Sequence, residues 1–213
     1  MKQGIRQRII AARQQITEEE RVRLSHAIAA RIASLDAYRT ANTVLAYMNF
    51  GAEFAAGIFT QQALRDGKRV LLPKVNRSSN ELDIYQVTDL LHDVAPGMWN
   101  INEPLVERCA KVDALEEVDF ILLPGVAFGR DGARLGYGGG FYDKLLKKLL
   151  AIRLGEQTTL AKSLVMARLQ HRPALVAGAY AMQIVEGIPQ EATDRKVEWL
   201  VTEDETIYCA NNE

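Results

Sequence analysis

Residues 122–146 run LLPGVAFGRDGARLGYGGGFYDKLL. The apolar run at 120–123 predicts a buried strand that stops at Pro124. A loop follows, and then four glycines fall within five positions: Gly136, Gly138, Gly139 and Gly140. Phe141, Tyr142 and Asp143 come next, and the apolar spacing over 141–152 predicts a helix. Glycines accept positive φ and let the backbone approach a ligand closely. A strand, a glycine loop and a helix start therefore place backbone N–H groups around an anion. Arg134 adds a fixed cation at the loop entry, and Asp143 adds a carboxylate able to hold a metal. This is the equipment of a nucleotide phosphate site. No Gly-Lys-Ser/Thr follows, so it is not a Walker A loop, and Gly136-x-Gly138 lacks the further glycine of the dinucleotide fingerprint. The alternative, a tight structural turn, leaves Arg134 and Asp143 without a purpose.

Working outward, short apolar segments alternate with helical ones. Residues 2–16 read as a basic helix, and Thr17 with Glu20 forms a capping box that starts a second helix running to about residue 35. Strands are expected at 43–48 and at 69–72, the latter stopped by Pro73. A helix at 55–65 lies between them, closed by Gly67. Residues 82–87 alternate as a strand, 89–104 read as an irregular loop, and late strands are expected at 174–179 and 199–202. A further helix at 159–169 sits in an insertion spanning 153–171. The pattern predicts an α/β fold with a mainly parallel sheet, in which sites lie beyond the carboxyl ends of strands.

The chain has 213 residues, enough for one domain, and its 48% hydrophobic and 25% charged residues match a globular protein. A net charge of −1 gives no global reason to expect nucleic acid or an anionic membrane as partner. No apolar run approaches the roughly 20 residues of a membrane span, and the basic N-terminus lacks the apolar core of a signal peptide. Cys109 and Cys209 stand far apart, as free thiols of a reducing, cytoplasmic protein do.

Other candidates are weaker singly. Lys2, Arg6 and Arg13 share one helix face, which by spacing alone is a solvated basic surface. Asp194 lies in a polar stretch and is able to join Asp143 around Mg²⁺. Glu53 follows the first strand. Trp99 and Glu103 sit in a loop, where a carboxylate and a ring suit a flat heterocycle. His26, His92 and His171 lack ligand spacing, and no nucleophile triad is legible.

The glycine segment resembles the signature of the 5-formyltetrahydrofolate cyclo-ligase (5,10-methenyltetrahydrofolate synthetase) family. Lys2-x-x-x-Arg6, residues 47–53, LLPKV at 71–75, WNINEP at 99–104, and segments 179–189 and 193–203 are similar to that family in the same order. The resemblance implies a three-layer α/β/α sandwich, with ATP as co-substrate and Mg²⁺ as cofactor. It implies ATP binding by Lys2, Arg6, Arg134, Leu135, Gly136, Tyr137, Gly138, Gly139, Gly140, Phe141 and Tyr142, with Arg134 and Tyr142 catalytic. Folate contact falls on Met48, Glu53, Trp99, Tyr137, Gly138, Gly139, Gly140 and Phe141, and the metal on Asp143 and Asp194. The partners implied are small molecules; with the charge and apolar runs above, no nucleic acid and no membrane are expected, and a monomer is expected. It departs from the family at Phe54-Ala55-Ala56 and Thr193. A sugar-phosphate enzyme on a similar sandwich, or a non-catalytic ligand sensor, are the competing readings.

Overall fold

A computed structural model describes residues 1–153, 172–191 and 194–209. Among the described residues, five helices, α1 (Lys2–Arg13), α2 (Glu18–Ser34), α3 (Asp36–Thr40), α4 (Ala56–Arg65) and α5 (Phe141–Arg153), accompany eleven strands. Seven strands make the main sheet: β1 (Thr43–Leu45), β2 (Arg69–Asn76), β3 (Glu81–Val87), β6 (Phe120–Leu122), β9 (Ala174–Gly178), β10 (Trp199–Val201) and β11 (Thr206–Tyr208). Their order is β11-β10-β9-β6-β1-β2-β3; β3 and β11 pair antiparallel at the two edges, and the five between run parallel. The expected mainly parallel α/β architecture is what forms. The remaining strands make two small hairpins: β4 (Val94–Pro96) with β5 (Asn102–Pro104), and β7 (Ala127–Phe128) with β8 (Arg134–Leu135).

Period-two alternation divides the strands between two cores. Val44, Val70, Leu72, Phe120, Leu122 and Val176 pack with Ile28 and Ile32 of α2, Tyr38 of α3 and Phe59 and Ala63 of α4. The intervening Leu45, Leu71, Ile121, Ala177 and Leu200 face the other way, toward Leu145, Leu146 and Leu149 of α5. Helices therefore cover both sides of the sheet. Helix α1 does neither job: its Ile9 packs on Val126, Ala127, Ala133 and Leu135 of the β7–β8 hairpin. From β1 the chain winds to β2 on one side and then to β6, β9 and β10 on the other. The β1–β6 neighbourhood is thus the switch point of the sheet, where ligands of such folds bind.

Several local expectations need correction. Pro73 does not stop β2, which runs on to Asn76. The Leu71 carbonyl accepts from Ala46 N–H on the β1 side, so Pro73 two residues later faces that side too, past the end of β1, where no N–H is needed. β1 ends at Leu45 rather than residue 48, because Tyr47 and Met48 leave the ladder to line a cavity. Helix α1 ends at Arg13, and tight bonds from Gln15 and Ile16 N–H turn the chain before Thr17 caps α2. Thr17 Oγ1 accepts from Glu20 N–H at 3.2 Å, while the Glu20 carboxylate turns to Arg23 instead of closing the box. Residues 89–104 are not irregular but hold the β4–β5 hairpin. The helix expected at 159–169 and nearly all of the insertion around it lie outside the described residues, as does Thr193.

Candidate functional site

The β7–β8 hairpin sets the entrance of the glycine loop. Gly132 turns it with φ +85°, and a Cβ there would stand 2.4 Å from the Val197 carbonyl oxygen, so no other residue fits. The hairpin buries the Arg134 side chain. Its Nη2 donates to Asp143 Oδ1 at 2.5 Å, its Nη1 to the Pro124 carbonyl at 3.2 Å, and its Nε finds no partner among the described residues. Gly138 and Gly140 adopt φ of +106° and +67°. No N–H of residues 136–140 donates to another described residue. α5 begins at Phe141, so its first N–H groups extend this row of unpaired donors.

A cavity of about 980 Å³ opens over this loop at the carboxyl ends of β1, β2 and β6. Its wall gathers every residue the sequence singled out for the site: Lys2, Arg6, Met48, Glu53, Trp99, residues 134–142, Asp143 and Asp194. From α1, Arg6 Nε donates to the Gly136 carbonyl at 2.7 Å. Lys2 Nζ reaches Glu191 Oε1 at 2.8 Å and Asp194 Oδ2 at 2.9 Å. Hydrogen bonds from the ammonium to Glu191 and Asp194 raise the Lys2 pKa. Burial opposes the Asp194 carboxylate, but Lys2 and the Glu191 N–H outweigh it and hold its pKa below the usual range. In the free protein each candidate metal carboxylate is thus held by a candidate phosphate cation.

The opposite end of the cavity is aromatic and acidic. Glu53 is buried and accepts from Phe50 N–H at 2.7 Å. Burial pushes its pKa up, while the Phe50 N–H and Arg13 pull the other way. Burial also raises the Tyr47, Tyr137 and Tyr142 phenols, with the Glu53 charge adding to it, so all three stay protonated donors at neutral pH. Trp99 stands 58% exposed at the β4–β5 tip with φ +55°, a conformation a bulky side chain rarely adopts, its ring edge-on to Phe141 at 6.5 Å. Phe50 and Tyr137 form a second edge-on pair at 5.7 Å. Glu103, beside Trp99 in sequence, is engaged by Lys74 Nζ at 3.2 Å and Val75 N–H at 3.4 Å.

Donors of this kind suit Mg²⁺. Among the described residues no group of three or more His, Cys, Asp or Glu could hold a metal. One or two carboxylates facing a phosphate-sized row of N–H groups are what Mg²⁺ uses when substrate oxygens and water complete its shell. Asp143 and Asp194 both line the cavity that opens over that row.

A family model described as the 5-formyltetrahydrofolate cyclo-ligase family matches residues 1–203. The chain belongs to that family. It is an enzyme of the 5-formyltetrahydrofolate cyclo-ligase type, and relatives of that name match along nearly the whole chain. The mouse protein is 26% identical over 95% of this chain and 94% of its own length, and the Escherichia coli K12 protein 28% identical over 93% and 96%. The solution structure of Aquifex aeolicus 5,10-methenyltetrahydrofolate synthetase superposes with a TM-score of 0.76 at 30% identity, covering 100% of this chain and 94% of that one. A Mycoplasma pneumoniae synthetase of 19% identity shares the fold, with a TM-score of 0.66. Among the described residues no helix is long and apolar enough to cross a membrane.

Sequence reasoning missed part of this cyclo-ligase cavity. Lys144, Lys147, Glu191 and Arg195 also line it. Lys147 stood one helical turn after Asp143, a signal available in the sequence. Glu191 and Arg195 had only proximity to Asp194 to mark them. Arg13, which spacing alone places on a solvated face, is buried, with its side chain 3% exposed.

Proposed function

We propose that this enzyme converts 5-formyltetrahydrofolate and ATP into 5,10-methenyltetrahydrofolate, ADP and phosphate. The observation that carries the reading is one continuous cavity, with unpaired N–H groups and cations at one end and a buried carboxylate among aromatic rings at the other. ATP lies with its phosphates on loop 136–140, within reach of Lys2, Arg6 and Arg134. The folate places its heterocycle toward Glu53, with Met48, Trp99 and Phe141 as apolar walls. Mg²⁺, held by Asp143 and Asp194, supplies charge neutralisation on the phosphates.

A formamide carbonyl is a poor electrophile and its oxygen a poor leaving group. Transfer of the γ-phosphoryl group to the formyl oxygen breaks the bond to ADP and makes that oxygen a phosphate ester. N10 then attacks the activated carbon, loses its proton, and the carbon–oxygen bond breaks to release phosphate. Such a transfer needs alignment and charge stabilisation rather than a protein nucleophile. Arg134 is suited to it, because Asp143 and the Pro124 carbonyl fix its guanidinium before any ligand arrives. The Tyr142 phenol, kept protonated, is a donor to the developing charge. Attack by N10 is intramolecular, so holding the folate in one geometry removes most of its entropic barrier.

The test is purified protein with 5-formyltetrahydrofolate, Mg²⁺ and ATP, followed by the near-ultraviolet absorbance of the methenyl product. ATP-dependent product supports the reading. ATP bound without product moves the protein to a sensor, and ATP-independent turnover of a sugar phosphate moves it to the other rival.

A further inference from the structure

One buried charge takes no part in the steps above. Arg13 ends α1, the helix whose first turns carry Lys2 and Arg6. Its Nη2 donates to the Tyr137 hydroxyl at 2.6 Å, and its guanidinium carbon lies 5.8 Å from the Tyr137 ring centre. Its Nη1 stands 3.9 Å from Glu53 Oε1. Arg13 Nε, Arg13 Nη1 and Glu53 Oε1 are buried and have no hydrogen-bond partner among the described residues. A buried guanidinium this sparsely bonded is costly, and packing alone gives no reason for it. The titratable groups facing Glu53 are Arg13 from α1, Tyr137 from the glycine loop, Tyr142 from α5 and Tyr47 after β1. The three tyrosines are neutral phenols at neutral pH, so the cation in this set is Arg13.

We propose that Arg13 is the positioning residue of the heterocycle end, holding the Glu53 carboxylate anionic and, through Tyr137, aimed into the cavity. The inference rests on the reading that a reduced folate occupies that end. The amino-pyrimidinone ring of a folate offers adjacent N–H donors, which a carboxylate accepts with both oxygens. A protonated carboxyl turns one of those acceptors into a donor and loses the match. Burial alone favours that protonated form, and Arg13 supplies the opposing charge. Arg13 does not line the cavity, so it acts through Glu53 and Tyr137 rather than on substrate.

The test measures 5-formyltetrahydrofolate binding without ATP, by tryptophan fluorescence, from mildly acid to mildly alkaline pH, in wild type, Arg13→Met, Arg13→Lys and Tyr137→Phe. ATP binding is measured in parallel by calorimetry. Wild-type binding falls on the acid side as Glu53 protonates. In Arg13→Met that acid limb moves up by about one pH unit or more, and affinity at neutral pH drops about tenfold. ATP affinity holds, and Arg13→Lys returns the acid limb toward wild type. Tyr137→Phe removes a smaller stabiliser of the Glu53 charge, so its acid limb moves up less than that of Arg13→Met, and Arg13→Gln serves if Arg13→Met does not fold. An unmoved limb in Arg13→Met, or equal losses of folate and ATP affinity, overturns the inference. If wild type itself binds no folate, the ligand reading fails instead.

Discussion

Asp143 is a candidate metal ligand that already has an occupation, and replacing it separates two effects. Its carboxylate is the partner of Arg134, whose side chain is 4% exposed against 31% for Asp143. Breaking a fully buried ion pair costs about 3–5 kcal/mol. Water reaches the Asp143 side, so the figure for Asp143→Ala falls toward that of a charge-assisted hydrogen bond, about 1.5–3 kcal/mol. For a chain of this length that is a Tm lowered by about 3–12 °C. Asp143→Asn keeps an acceptor oxygen and drops only the charge, so its loss is about half as large. Thermal unfolding without ligands gives the first number, and Mg²⁺ titration of turnover gives the second effect. Asp143→Asn should keep its fold and lose Mg²⁺-dependent turnover. An unchanged Tm in Asp143→Ala would refute the energetic argument, and wild-type turnover in Asp143→Asn would remove the residue from the metal.

Arg134→Ala removes the cation fixed at the loop and should weaken ATP binding by about tenfold or more in calorimetry; unchanged affinity counts against its phosphate role. Glu53→Gln should raise the folate KM by at least about tenfold while sparing ATP affinity, and its folate binding should lose the acid limb, because the titrating group is gone. Gly178→Val tests the core beneath the site. A Cβ on Gly178 would lie 2.9 Å from two Phe54 ring carbons and 3.1 Å from Ile28 Cγ2. The overpacking should cost about 1–3 kcal/mol in urea unfolding, and equal stability would mean that α2 and Phe54 yield freely.

The parallel strands were legible because each is a run of apolar residues buried on both faces, such as Phe120–Leu122. The two hairpins were not, since strands of two or three residues carry no alternation to count. Antiparallel β11 was hidden for the same reason, and α3 is a single turn. Among site residues, the glycine loop announced itself by composition. Glu53, Trp99 and Asp194 needed a resemblance to link them, because nothing local ties positions so far apart. Arg13 was misread because spacing reports which residues share a face and not what covers that face. Here the cover is Tyr137, 124 residues later.

Lys2 and Asp194, bonded across 192 residues of chain, also set a timetable. A ribosome adding roughly 5–20 residues per second releases α1 some ten to forty seconds before the segment that closes on it. Even once the glycine loop has been made, in the last third of that interval, Lys2 has no acidic partner and the cavity lacks a wall. The nascent chain is therefore a scaffold with an unfinished cavity, and a ligand that needs the whole wall can stabilise only molecules whose synthesis has passed residue 194.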